Sequence, residues 1–285
     1  MTKKRKRIII VLSVFLAVVL AFSAWVIRSN KALELSSHTI KSDDLPEAFD
    51  GFRIAHVSDL HNTQIGDDNE KLLKMLEESD PHIIALTGDL IDSRNTDVQV
   101  ALNFSEKALK IAPCYYVPGN HEARSSEYDK LKKGLLDLGV VVLEDSSTEL
   151  ELNGERILII GADDPSFDTD YLYSTEEKTM QSFLKDYKDR DSDFTLLLSH
   201  RPELLNVYAE NNIDLVLSGH AHGGQIRLPF SGGLYAPNQG FMPEYDAGTY
   251  SKGDTTMIVS KGIGNSAFPL RFNNRPEVVL IELEN

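Results

Sequence analysis

Cysteine is almost missing from this chain: Cys114 is the only one in 285 residues. That excludes a disulfide framework and any cysteine-based zinc site, and it suits an extracytoplasmic protein without bridges as well as an intracellular one. Basic residues are scarce beyond the amino terminus. Residues 1–31 hold seven of the 29 lysines and arginines and no acid, which leaves 22 basic against 44 acidic side chains in the remainder. A body so acidic is a poor binder of nucleic-acid backbone, although local cations can still receive a small phosphate-bearing substrate. There is no P-loop, Gly-x-Ser-x-Gly elbow or Rossmann fingerprint, so ATPase, serine-esterase and dehydrogenase readings have no positive support. What remains, with 41% hydrophobic and 26% charged residues, has the composition of an ordinary folded protein.

One long apolar run stands out. Ile8 to Ile27 carries no charge, and its 20 residues contain only Ser13 and Ser23 as polar members. As a helix it spans about 30 Å, the thickness of a bilayer core. Trp25 sits near its far end, where an amphipathic ring favours the interface. The cluster Lys3–Arg7 is expected to stay in the cytoplasm, which makes the protein single-pass in the cell membrane with its body extracytoplasmic. The run exceeds the apolar region of a cleaved signal, about 7–15 residues, so a retained anchor is expected over cleavage. The organisation read from this is a basic segment 1–7, a transmembrane anchor 8–27, a tether 28–50 and a folded domain 51–285.

In the folded part, strand and helix signals alternate. Apolar runs at Phe52–Val57, His82–Leu86, Tyr115–Val117, Phe194–Leu198 and Leu215–Leu217 read as buried strands. Helical patterns fall at Asn69–Glu78, Asp97–Ile111, Tyr128–Leu138, Glu176–Lys188 and Glu203–Glu210, and Asn153-Gly154 marks a hairpin. The alternation predicts an α/β fold. The five strands end in polar tips: Asp59 and His61, Asp89, Asn120 and His121, His200, then His220 and His222. Strand carboxyl ends line the ligand crevice of an α/β sheet. Carboxylate, imidazole and amide oxygen suit manganese, iron or zinc. Seven donors exceed one tetrahedral ion and fit two divalent ions sharing a bridging carboxylate.

Taken in order, Asp59-Leu60-His61, Gly88-Asp89-Leu90-Ile91-Asp92, Gly119-Asn120-His121-Glu122, His200 and Gly219-His220-Ala221-His222 resemble the motif set of the calcineurin-like metallophosphoesterases. The segments Gly223–Pro229, Ser260–Ser266 and Arg271–Glu277 look like the membrane-associated bacterial subgroup of that family. The resemblance implies two packed, mostly mixed sheets flanked by helices, a four-layer α/β sandwich. It implies that Asp59, His61 and His222 hold one ion, that Asn120, His200 and His220 hold the other, and that Asp89 bridges them. His121 would face the substrate and protonate the leaving oxygen, and Asp92 would accept a hydrogen bond from His121. The activity implied is hydrolysis of phosphodiesters or phosphomonoesters by a hydroxide shared between the ions. A pyrophosphate hydrolase acting on a UDP-diacylglucosamine-like, lipid- or glycan-linked substrate is the alternative, and a non-catalytic metal-binding scaffold is a rival of another class.

Other residues have blander readings. His38, His56 and His82 lie outside the motifs and read as structural, and Cys114 as a small core residue. Gly223 and Gly224 read as a turn more than as a phosphate cradle. Arg227 and Arg271 either bind phosphate or pair with the many acids.

Overall fold

In a computed structural model, which describes residues 2–168, 174–188, 190, 192–265 and 268–285, the apolar runs become the strands of two six-stranded sheets. Chain order runs α1 (Lys3–Lys31), β1 (Glu34–Lys41), β2 (Arg53–Val57), α2 (Glu70–Glu78), β3 (Ile83–Thr87), α3 (Val98–Ala108), β4 (Cys114–Val117), α4 (Asn120–Ala123), α5 (Tyr128–Leu138) and β5 (Val141–Val142). It continues with β6 (Ser146–Leu152), β7 (Glu155–Gly161), α6 (Glu176–Leu184), β8 (Thr195–Leu198), α7 (Leu205–Glu210) and β9 (Leu215–Ser218). Two small hairpins follow, β10 (Arg227–Leu228) with β11 (Gly232–Gly233) and β12 (Tyr235–Ala236) with β13 (Gly240–Phe241). The chain closes with β14 (Gly248–Lys252), β15 (Thr255–Val259) and β16 (Glu277–Glu284).

Both sheets are mixed. The first has the order β1-β16-β2-β3-β4-β5, with β2 to β5 parallel and β16 antiparallel to β2. The second has the order β14-β15-β9-β8-β7-β6, with β15, β9, β8 and β7 parallel between two antiparallel edge strands. Strands covered on both faces read as continuous apolar runs, which is why these stretches show no alternation. Ile84, Leu86 and Tyr116 point to the helices α2, α3 and α5. Ile83, Ala85 and Val117 point to the second sheet and meet Ile159, Leu196, Leu198 and Leu217. On the far side, Leu197 and Val216 pack with Met180, Leu184 and Tyr208 of α6 and α7. The layers are therefore helices, sheet, sheet, helices, the expected four-layer sandwich.

The structure corrects the expected tether. Within 28–50, Glu34–Lys41 is a strand paired in parallel with β16 along its whole length. Its inward face is Glu34, Ser36, His38 and Ile40, of which only Ile40 is apolar and buried. An edge strand covered on one side by polar groups leaves no hydrophobic periodicity to read. The folded body thus begins at 34. Helix α1 extends the apolar run by its basic flanks and is long and apolar enough to cross a membrane. Helix α7 is shorter than expected, because Pro202–Leu204 forms a separate 3-10 turn before it. Ser266 of the carboxyl-terminal motif lies outside the described residues.

The two sheets come close at Gly161, the last residue of β7. A Cβ there would lie 2.2 Å from Leu143 Cβ and 2.8 Å from Val117 Cγ1 on β4. Neither neighbour is the free end of a flexible chain, so a methyl group must push the sheets apart. Gly161→Ala is expected to cost about 1–3 kcal/mol, the usual range for an overpacked core. Chemical denaturation of the full chain in detergent checks this, and an unchanged midpoint would contradict it.

Candidate metal centre

The loops after the parallel strands are tied to one another by their backbones. The Asp59 N–H donates to Gly88 O at 3.0 Å and the His61 N–H to Asp89 O at 2.9 Å, which joins the ends of β2 and β3. The His121 N–H donates to Asp89 Oδ1 at 2.8 Å, and the His220 N–H reaches the Asp59 carboxylate at 3.1 Å. Asp59, His61, Asp89, His220 and His222 all have positive φ, between 46° and 65°. Non-glycine residues in that region are strained by about 1–3 kcal/mol each and gather at functional sites. Five of the seven expected ligands share this strain, so the fold holds them there against local preference.

Their side chains converge in the buried space between the loops. Asp59 Oδ1 lies 3.2 Å from His222 Nε2 and 3.7 Å from His61 Nε2. Asp89 Oδ2 lies 3.5 Å from His61 Nε2 and 3.2 Å from His200 Nε2. His220 Nδ1 faces His200 Nε2 at 3.3 Å, and His61 Nε2 faces His222 Nε2 at 3.2 Å. Two groups of donors result, Asp59-His61-His222 and Asp89-His200-His220, each compact enough to hold a metal ion. Asp89 Oδ2 is directed at imidazoles of both groups. Asn120 lines the same cleft, and its Oδ1 is buried without a hydrogen-bond partner among the described residues. Imidazole nitrogens turned towards each other, together with an amide oxygen left unpaired, are what a divalent cation satisfies. The residues present fit the group.

The rings are oriented from behind. His200 Nδ1–H donates to Thr87 O at 2.7 Å, and His220 Nε2–H to Asn238 Oδ1 at 3.1 Å. Each bond fixes the tautomer that turns a bare nitrogen to the centre. Asn238 in turn donates to Glu176 at 2.9 Å. Glu176 also meets the buried Arg201, whose guanidinium is forked onto Asp164. Glu122 is buried and accepts three backbone N–H groups: Asp89 at 2.7 Å, Gly119 at 2.8 Å and Ile91 at 3.1 Å. It therefore sets the turns that carry both Asp89 and Asn120. Burial and the nearby Asp89 charge push its carboxyl up to about 7.

Electrostatics agree with a site built for cations. Burial opposes charge on Asp59 and Asp89, yet the facing imidazoles hold both below the ordinary carboxylate range. Burial also opposes charge on His200, but Asp89 raises it to about 10. Burial pushes His222 down to about 3 and His220 well below its usual value. His61 is raised as well by the Asp59 and Asp89 carboxylates, so the centre asks for positive charge beside Asp89 while the rings of His220 and His222 stay neutral.

One expected contact is not formed. His121 Nδ1 lies 3.6 Å from Asp92 Oδ1, too far for a hydrogen bond. It accepts the Ser93 N–H at 3.1 Å instead. Asp92 is turned to Arg94, which reaches its two oxygens at 2.9 and 2.6 Å. The extended guanidinium fork two residues on outcompetes the imidazole for the carboxylate. His121 and Asp92 still group with His61, and the rings of His61 and His121 meet edge to face at 4.5 Å.

The remaining histidines are structural. His56 Nε2 meets Thr87 Oγ1 at 2.7 Å, and His82 Nδ1 accepts the Arg53 N–H at 2.9 Å. His38 meets Thr249 at 3.0 Å. Gly223 and Gly224 form a turn, and a Cβ on Gly224 would lie 2.3 Å from Gly233 Cα. Arg227 pairs with Asp246 at 3.0 Å. Arg271 is buried and donates to the carbonyls of Lys261 and Gly264, with its guanidinium 3.4 Å from His222 Nδ1. The sequence reading gave no role to Glu122, Arg201 or Asn238. Glu122 and Arg201 each follow an expected site histidine directly, the only signal available; Asn238 has none.

Comparison with known proteins supports the same reading. The profile described as calcineurin-like phosphoesterase matches residues 52–224. The chain belongs to that family. It is thus a metal-dependent hydrolase with two mixed sheets and a cluster of donor residues. It is 32% identical over 259 residues to the uncharacterized metallophosphoesterase YkuE of Bacillus subtilis, covering 89% of this chain and 86% of that protein. Over 246 residues it is 27% identical to the phosphodiesterase YaeI of Escherichia coli, covering 81% and 82%. A Bos taurus transmembrane protein with a metallophosphoesterase domain is 27% identical over 256 residues, 84% of this chain and 54% of that protein.

Glu122→Ala would strand three buried N–H groups, at about 1–3 kcal/mol for each unmet partner. The expected outcome is a lower melting temperature together with weaker metal retention after dialysis. Wild-type metal content in the variant would show that Glu122 does not set these loops.

Proposed function

We propose that this chain is a membrane-anchored phosphoesterase with two divalent ions, acting on phosphodiesters or phosphomonoesters. The observation that supports it most is the place of Asp89, whose Oδ2 faces His61 at 3.5 Å and His200 at 3.2 Å between the two donor groups. Asp59, His61 and His222 would hold one ion; Asn120, His200 and His220 would hold the other; Asp89 would bridge them. When bound, manganese, zinc or iron would ionise a shared water near neutral pH and offset charge on the phosphoryl oxygens.

The protein's own groups do the rest. The cleft over the donors is about 450 Å³ and is lined also by Ser93, Arg94, Arg124, Tyr235 and Asn238. Arg94 and Arg124 bring positive charge to its mouth, where a phosphate ester must enter an acidic protein. His121 is the expected proton donor. Because its Nδ1 accepts the Ser93 N–H, the proton of the neutral ring sits on Nε2. That proton can pass to the departing alkoxide. Asp92, 3.6 Å from Nδ1, favours the charged ring through space without orienting it.

A phosphodiester is favoured because a relative of this length carries the name phosphodiesterase. The apolar helix supports membrane association, and the basic cluster Lys3–Arg7 supports an extracytoplasmic catalytic domain. A periplasm-active reporter fused after Asn285 should be active and a cytoplasm-active one silent; the reverse pattern would refute this orientation.

Asp89→Ala is expected to abolish turnover of bis-p-nitrophenyl phosphate and to lower bound metal, read by elemental analysis. His121→Ala is expected to lower kcat by about 10²- to 10⁴-fold with metal content unchanged. Active wild-type protein holding one ion per chain would contradict the paired-ion reading. Parallel assays with p-nitrophenyl phosphate and UDP-diacylglucosamine separate monoesterase and lipid-linked pyrophosphatase activity from the diesterase.

A further inference from the structure

At the base of α1 lies a second cleft, away from the metal donors, of about 330 Å³. Its lining is Trp25, Arg28 and Ser29 of α1 with Glu34, Arg227, Lys261, Asn273 and Arg275 of the folded body. Four cations and one acid face it, in a chain whose net charge is −15. Glu34 contacts Lys261 at 3.3 Å and Arg275 at 3.9 Å. Glu277 takes Lys261 at 3.2 Å from behind, and Asp246 takes Arg227 at 3.0 Å. Counting all three acids, the cations remain in excess, and Arg28 makes no ion pair among the described residues. An anion of one charge completes this set.

The position of the cleft says where that anion comes from. Phe272 of the body meets Trp25 edge to face at 4.7 Å and Phe22 at a tilt at 5.8 Å. Phe22 precedes Arg28 by six residues, about 9 Å along a helix. The body therefore touches α1 below the level of its first outer charge, inside the apolar run. Asn30 locks this attachment, donating to Arg271 O at 2.9 Å and accepting the Arg271 N–H at 2.8 Å. Segments adjoining Phe272 carry bare apolar side chains. Phe268 and Leu270 are about half exposed. Leu228 and the fully exposed Phe230 stand on the β10–β11 hairpin, which is bonded to Phe272 through the Arg227 N–H. Aromatic tips flanking a cationic cleft at the end of an apolar helix match the headgroup layer of a bilayer.

We propose that this cleft binds the phosphate of an anionic phospholipid in the leaflet next to the folded body. Arg28, Arg227, Lys261 and Arg275 take the phosphate oxygens, and Phe230, Phe268 and Leu270 enter the acyl boundary. The site is separate from the metal centre and would hold whether or not the substrate is a lipid; it rests on α1 lying in the bilayer. Its effect is to hold the body at a fixed height and tilt.

Trp25 is the single tryptophan, so its emission reports on this cleft alone. The full chain in neutral detergent is titrated with dihexanoyl phosphatidylglycerol, dihexanoyl phosphatidylcholine and inorganic phosphate. Phosphatidylglycerol should shift the emission saturably while the other two do not. Arg28→Ala and Arg275→Ala should each raise the half-saturating concentration at least about fivefold. Both should turn over bis-p-nitrophenyl phosphate at the wild-type rate, which shows that they fold. An equal response to phosphatidylcholine, saturation by inorganic phosphate at the same concentration, or wild-type titrations in both variants would overturn the proposal.

Discussion

The structure turns on keeping Asp59 and Asp89 charged where water is absent. Both carboxylates are buried among the loops at the strand ends, a placement that costs several kcal/mol per ion unless donors surround it. The protein meets this with backbone as much as with side chains: the N–H groups of His121 and His220 point at the two carboxylates. Such donors are available only where loops are pressed together. A Cβ on Gly219 would lie 2.3 Å from Asp59 Oδ2, one on Gly262 2.7 Å from Asp59 Cβ, and one on Gly119 2.3 Å from Asp89 Oδ1. Glycine at these positions is a condition for the carboxylates to be there at all. The positive φ angles of Asp59, His61, Asp89, His220 and His222 follow from the same compression. The sandwich around it holds the strain, and a divalent cation, when bound, would offset the crowding of carboxylates and imidazoles.

What could be read in the sequence and what could not divide along this line. Strands buried on both faces announce themselves as apolar runs, so Ile83–Thr87 and Thr195–Leu198 were legible, and so were the polar tips that follow them. The donors were legible because the chemistry of a metal site restricts residue type. The strand Glu34–Lys41 was not, because its covered face is polar and its burial comes from a partner 243 residues away in the chain. Nor were the groups behind the ligands. Asn238 reaches His220 from the turn of the small β12–β13 hairpin, a contact without a pattern in the sequence. The Asp92–His121 hydrogen bond was inferred from resemblance and failed on a local detail, an arginine two residues beyond Asp92.

The apolar helix and the metal centre are linked by few atoms. Asn30 at the end of α1 holds the backbone of Arg271 on both sides. The Arg271 side chain crosses the interior to the carbonyls of Lys261 and Gly264 and ends 3.4 Å from His222. Gly264 N–H donates to Asp59 O at 2.7 Å. Among the described residues Arg271 forms no ion pair with an acid; its donors go to the carbonyls of Lys261 and Gly264 and to Asn265 Oδ1 at 3.1 Å, in the loop that leans on Asp59. Burial pushes its guanidinium down to about 10, against the opposing field of the Asp59 carboxylate. Arg271 therefore has two tasks with one geometry. It fixes the body to the helix, and it sets the loop that closes one side of the first donor group.

That double task bears on how a substrate reaches the cleft. A body hinged freely on its anchor would sample all orientations, and the position of the cleft mouth relative to a membrane would carry no information. Here the Asn30–Arg271 bonds and the edge-to-face and tilted contacts of Phe22, Trp25 and Phe272 restrict how the body turns on α1. The segment that makes the attachment is also bonded to the β10–β11 hairpin through the Arg227 N–H, and its Arg271 guanidinium lies 3.4 Å from His222, which lines the cleft. One short stretch of chain, beyond the part matched by the family profile, thus touches the helix on one side and the substrate space on the other. The family's catalytic loops determine what bond is broken. This stretch sets how the folded body is held against the apolar helix.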